Sequence, residues 1–121
     1  MIERKIYSDG LLVITTCSGK VTVEELVTSA NWMVNNFGGA IQQGFKQLFI
    51  ASDADTHAVT EEDIHRVAQI NLIQGRSRGG FSMAIIAAKP YPIALARLHK
   101  LLSASAGINV EIFSDIDAAY K

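Results

Sequence analysis

The sequence is short of three things, and each shortage removes a class of protein. Cysteine occurs once, as Cys17, so no internal disulfide forms and a reducing compartment is expected. Charge of one sign is never in surplus: 11 Lys and Arg against 12 Asp and Glu leave a net charge of -1. That balance gives no electrostatic footprint for nucleic acid or for an anionic membrane surface. Long apolar runs are missing too. The longest, Met83 to Ala88, is far too short to cross a bilayer. The opening residues Met1-Ile2-Glu3-Arg4-Lys5 carry charge where a signal peptide needs its apolar stretch. A soluble, cytoplasmic protein is expected.

What is present is a patterned core for one domain. The chain has 121 residues, 49% hydrophobic and 19% charged, which is ordinary for a single globular domain. Ile2 to Tyr7 and Leu11 to Cys17 are β-prone runs flanking Ser8-Asp9-Gly10, and Asp-Gly between such runs predicts a hairpin. Ser18-Gly19 is expected to end the second strand. Thr22 and Glu25 have capping-box spacing, with Val21 and Leu26 placed as a staple. Val23, Leu26, Val27, Ala30, Met33, Val34 and Phe37 then recur at helical intervals as a buried stripe, which Gly38-Gly39 ends.

The same unit repeats twice. Gln47 to Ala51 reads as a short strand and Ser52 to His57 as a polar loop. Thr60 and Asp63 then cap a helix buried through Ile64, Val67, Ala68 and Leu72 and ended by Gly75. Arg76-Ser77-Arg78-Gly79-Gly80 reads as a loop. Phe81 to Ala88 is apolar on both faces, as a central parallel strand requires. Pro92 suits a first helical position, and Ala94, Leu95, Leu98, Leu101 and Leu102 form the next stripe, closed by Gly107. Asn109 to Phe113 is the last strand, and Ile116 to Tyr120 starts a final helix. The predicted architecture is a single α/β domain over residues 1–121, ordered ββαβαβαβα, with sequential right-handed strand–helix units on a mostly parallel sheet. Such a sheet has no reversal of strand order, and hence no crevice of the dinucleotide-binding kind.

Several stretches resemble one family. Ser18-Gly19-Lys20-Val21-Thr22-Val23-Glu24-Glu25-Leu26 is similar to the start of the first helix in small bacterial STAS-like (SpoIIAA-like) proteins, which are also described as related to the CRAL-TRIO lipid-binding module. Thr60-Glu61-Glu62-Asp63, Met83 to Ala87, Ala96-Arg97-Leu98 and Val110 to Asp115 resemble the same group. The resemblance implies a SpoIIAA-like fold and a non-enzymatic regulator. It departs at one point. STAS antagonists are switched by phosphorylation within an Asp-Ser-Ser/Thr-Gly run, and the equivalent Val59-Thr60-Glu61-Glu62 lacks both the preceding acid and the glycine. Thr60 is therefore expected to be a helix cap rather than a phosphoswitch; a phosphate there would face Glu61, Glu62 and Asp63.

Other candidate positions carry weaker signals. His57, His65 and His99 fall in separate elements, none at a metal-ligand spacing, and are expected at the surface or rim. Cys17 would need a nearby histidine and a depressed pKa to act as a nucleophile. Asp53 and Asp55 sit in the polar loop after the third strand, where acids either build turns or hold a hard cation. Arg76 and Arg78 lack the neighbouring aromatics of an RNA-binding loop, and Lys89 lies beside the free amides that open a helix. Trp32 is different. On the stripe above it points away from the core, among Thr28, Ser29, Asn35 and Asn36, which is the composition of an interface centre.

The expectation is thus a non-catalytic regulatory or protein-interaction module without cofactor or metal, meeting protein partners at Trp32, either a second copy as a homodimer or a different protein. The alternative for Trp32 is that another part of this chain folds over the indole. The rival reading is a carrier of a small apolar ligand or lipid. It needs an enclosed apolar cavity, and the packed stripes suggest little volume to spare.

Overall fold

The computed structural model describes residues 1–36, 39–42, 44–78, 81–104 and 108–114, with side chains omitted at position 53 and over 71–78. Five strands form one sheet in chain order: β1 (Ile2–Tyr7), β2 (Leu12–Lys20), β3 (Lys46–Asp55), β4 (Ser82–Ile86) and β5 (Asn109–Phe113). β1 pairs antiparallel with β2, and every later pairing is parallel. Helices α1 (Val23–Asn36), α2 (Glu61–Arg78) and α3 (Pro90–Ser103) make the crossovers. This is the predicted order, with no strand-order reversal. The final helix expected at Ile116 to Tyr120, and the expected helix-ending Gly38 and Gly107, lie outside the described residues.

The β1–β2 turn forms at the Asp-Gly signal but is longer than a two-residue hairpin. Ser8, Asp9 and Gly10 all take positive φ, at 54°, 55° and 93°, and Leu11 N–H closes the turn on the Ser8 carbonyl at 3.2 Å. Glycine is required at position 10 for a second reason. A Cβ there would lie 2.5 Å from the Ala40 carbonyl oxygen, while Gln42 N–H donates to the Gly10 carbonyl at 2.9 Å. The turn is thereby tied to the α1–β3 connection.

β2 and β3 are longer than predicted. After an irregularity between Thr16 and Ser18 the ladder resumes, pairing Ser18 with Asp53 and Lys20 with Asp55. Ser18-Gly19 therefore does not end β2, and the stretch expected as a polar loop is strand as far as Asp55. The cause is apolar: Ala54 packs in a small cluster with Cys17, Val21 and Ala51, and this holds the ribbon together beyond the main sheet.

Both capping boxes form. At α1, Glu25 N–H donates to Thr22 Oγ1 at 3.3 Å and Thr22 N–H to Glu25 Oε1 at 3.2 Å. At α2, Asp63 N–H donates to Thr60 Oγ1 at 3.2 Å and Thr60 N–H to Asp63 Oδ2 at 2.9 Å. Thr60→Ala should cost about 1 kcal/mol, measured as a lower urea midpoint with unchanged slope; an unchanged midpoint would deny the cap any energetic weight. Two boundaries differ from expectation. α2 runs through Gly75 to Arg78, because a helix tolerates an interior glycine at about 1 kcal/mol. Arg76 and Arg78 are therefore in its last turn rather than a loop. α3 begins at Pro90, with Lys89 as its N-cap, so Pro90 rather than Pro92 takes the first helical position.

All three helices cover one face of the sheet, where Val13, Thr15, Cys17, Gln47, Met83, Ile85 and Val110 are buried. Phe45, Phe81 and Ile108, each directly preceding a parallel strand, close the amino-terminal end of that core together with Ile41 and Met33. Among the described residues no helix is long and apolar enough to cross a membrane.

Candidate functional site

The helices do not fill the space above β3 and β4. Four small side chains converge there: Ser29 and Ala30 from α1, Ala51 from β3 and Ala96 from α3. Larger residues stand around them, among them Met33, Phe49, Met83, Ile85 and Leu95. A lining of alanine and serine, walled by branched and aromatic residues, leaves a cavity of about 100 Å³. α2 contributes Ile64 and Val67 to its wall. Thr56, Val59 and Pro92 bring it to the carboxyl ends of the strands, and Thr56 and Pro92 are half-buried there.

Over that end the β3–α2 loop is fastened to the start of α3. The Tyr91 hydroxyl donates to the Val59 carbonyl. The His57 ring lies parallel to the Tyr91 ring, with centroids 6.0 Å apart. His57 is itself positioned by Asp55, whose Oδ1 accepts from the His57 amide at 3.1 Å and lies 2.7 Å from Nδ1. The bond to the His57 ring holds the Asp55 carboxyl below its usual pKa. Asp55 thus acts in a local turn, and among the described residues no group of three or more acids, histidines or cysteines is placed to hold a metal ion.

Among the described residues the cavity wall is apolar except for Ser29, Gln47, Thr56 and His99, and no Lys, Arg, Asp or Glu contributes to it. Gln47 and Thr15 face each other across β2 and β3, Gln47 Nε2 donating to Thr15 Oγ1 at 3.2 Å. His99 corrects the expectation of a surface or rim position. It is 6% exposed, and burial pulls its pKa down to about 4, so the ring is neutral at pH 7. The sequence signal was its spacing, one turn on from Leu95 on the buried side of α3. His57 and His65 are exposed as expected.

Trp32 also needs correction. Its ring is half-buried against the main core cluster, and the Arg4 guanidinium carbon sits 4.6 Å from its centroid. On α1, Ser29, Ala30 and Met33 are the buried residues, while Val23, Val27 and Val34 are only half-buried. The indole covers the sheet edge, and the cation of Arg4 stacks on its face. The homodimer expectation loses the outward-facing indole on which it was built. Cys17 is 1% exposed and its pKa is pushed up to about 12 by burial, which leaves a thiol, not a thiolate, at neutral pH.

The cavity itself was not foreseen. Ala30 and Ala51 read as ordinary core residues, and nothing in a single alanine distinguishes close packing from unfilled space. The one available signal was that small residues fall on three elements brought together by the predicted order.

No family model matches the sequence, and no curated protein is similar to it. Among solved structures, an uncharacterised protein of the DUF3478 family from Shewanella loihica PV-4, with a SpoIIAA-like fold, superposes with a TM-score of 0.60. The match covers 99% of this chain and 90% of that one at 17% sequence identity. Sequence motifs, strand order and superposition agree: this chain has a SpoIIAA-like fold.

Proposed function

We propose that the chain is a non-catalytic regulatory module whose input is a small apolar ligand held in the cavity between the helices and the sheet. The cavity is the observation that carries this reading. At about 100 Å³ it is of the same order as the engineered apolar cavity of about 150 Å³ that takes up benzene. It therefore supplies the volume that the packed stripes argued against. The non-catalytic part of the reading is supported by the lining, which among the described residues includes no Lys, Arg, Asp or Glu, and by the thiol state of Cys17. Of the two readings drawn from the sequence, ligand binding gains a site, whereas protein interaction through Trp32 loses its anchor.

Benzene tests it. At ten times its dissociation constant a ligand that binds only the folded chain adds about 1.4 kcal/mol, or about 5–6 °C in Tm for a domain of this size. Ala96→Leu, which places three carbons in the void, should fold with a Tm at or above the parent's and lose the benzene shift. A chain that shows no shift, or a shift that survives Ala96→Leu, would remove the cavity as a binding site.

A further inference from the structure

Among the polar groups of the cavity wall, the Gln47 amide is the one at the far end from the strands' carboxyl termini, and it determines what kind of molecule fits. Gln47 is 6% exposed and Thr15 fully buried. One N–H of the Gln47 amide goes to Thr15 Oγ1, which fixes the plane of the amide. Its carbonyl oxygen and second N–H have no other partner among the described residues. The Ser29 hydroxyl, 4% exposed, lines the same space. Buried polar groups are normally satisfied by protein, water or ligand, and here protein supplies only part.

The position of this group sets the ligand's orientation. Gln47 lies at the start of β3 and Ala51 four residues on, so the β3 wall rises about 13 Å from Gln47 to Ala51, toward the carboxyl ends of the strands. A ligand entering from the carboxyl ends of the strands meets apolar wall first and the amide last. Among the described residues nothing in the wall carries a full charge: there is no Lys or Arg for a carboxylate and no Asp or Glu for an ammonium. An ion stripped of water without a partner is strongly disfavoured, whereas a hydroxyl or carbonyl oxygen needs only what an amide provides.

Resting on the ligand-binding reading above, we infer that the cavity selects a compact, uncharged molecule with a short apolar body and one hydroxyl or carbonyl group, received by the Gln47 amide. This excludes free fatty acids and amines of the same length, and a long-chain lipid far exceeds a cavity of about 100 Å³.

A head-group series on one chain length tests this. Titrations of the whole protein with 1-hexanol, hexanoate and hexylammonium at pH 7, followed by amide NMR shifts, should show hexanol at least tenfold tighter than either ion. The double variant Thr15→Val/Gln47→Met keeps the shapes and removes both polar groups. It should weaken hexanol about tenfold while benzene still raises Tm. Hexanoate binding as well as hexanol, or hexanol affinity intact in the double variant, would overturn the inference. So would benzene binding with no hexanol binding, and that result would leave the proposed function standing. Binding of neither would defeat both, with water the cavity's only occupant. The head-group series on the unmodified chain decides the matter even where the double variant fails to fold.

Discussion

Phe45→Ala should destabilise the protein by about 3–5 kcal/mol, the largest loss expected from any single side chain. Phe45 is 1% exposed and is the largest fully buried side chain among the described residues. Its ring stacks on that of Phe81, with centroids 4.6 Å apart and planes 17° from parallel. The two residues occupy the same place in successive strand–helix units, immediately before β3 and β4, and Ile108 holds that place before β5. Truncating Phe45 opens a void where three units meet, and the strand starts around it are hydrogen-bonded and cannot collapse inward: Lys46 N–H to the Leu11 carbonyl at 2.9 Å, Asn109 N–H to the Phe81 carbonyl at 3.0 Å. Against a usual domain stability of about 5–15 kcal/mol, such a loss is visible as a much lower denaturant midpoint. A change below about 1 kcal/mol would mean that this end of the sheet is not part of the cooperative core.

A second large effect is expected from acid, through His99. Its pKa falls from the ordinary 6.5 to about 4 in the folded chain because burial penalises the imidazolium. Above pH 6.5 the ring is neutral in both states and contributes nothing to pH dependence. Between 6.5 and about 4 the unfolded chain takes up a proton that the folded chain refuses, so stability falls as pH falls. Below about 4 both states are protonated and the loss is complete. The gap corresponds to about 3 kcal/mol. Carboxyl groups titrate in the same range, so the measurement is a comparison. Unfolding free energy against pH for the parent and for His99→Gln should diverge through this window, with the variant's curve flatter by about that amount. Parallel curves would show that His99 is not held neutral by the fold.

The fold was legible where a local signal has one structural meaning. The Thr-x-x-Glu and Thr-x-x-Asp boxes satisfy amides at a helix start, and both formed as read. The alternation of strands with single helices left one economical strand order, which the sheet has. The failures share a different cause, which is that periodicity locates an apolar stripe but not the tilt of the helix over the sheet. On α1 the buried side runs through Ser29, Ala30 and Met33, with Trp32 packed against the core and Val23 and Val27 only half-buried. Arg4, noted in the sequence only for its charge near the start of the chain, lies over an indole because a guanidinium can stack as well as carry charge. Ser52 to Asp55 look like turn residues by composition, yet β2 lends them a ladder partner that no local pattern reports. The candidate site was hardest to see, since it is made of what alanines and a serine leave empty.

Strand order identical to chain order also bears on how the molecule can be assembled. Each new strand pairs with the one just before it, and the loop that must close contains only one helix and its connections. No segment has to be inserted between two strands that are already paired. The sheet can therefore grow outward from the β1–β2 hairpin by one strand–helix unit at a time, each addition covering the edge left by the last.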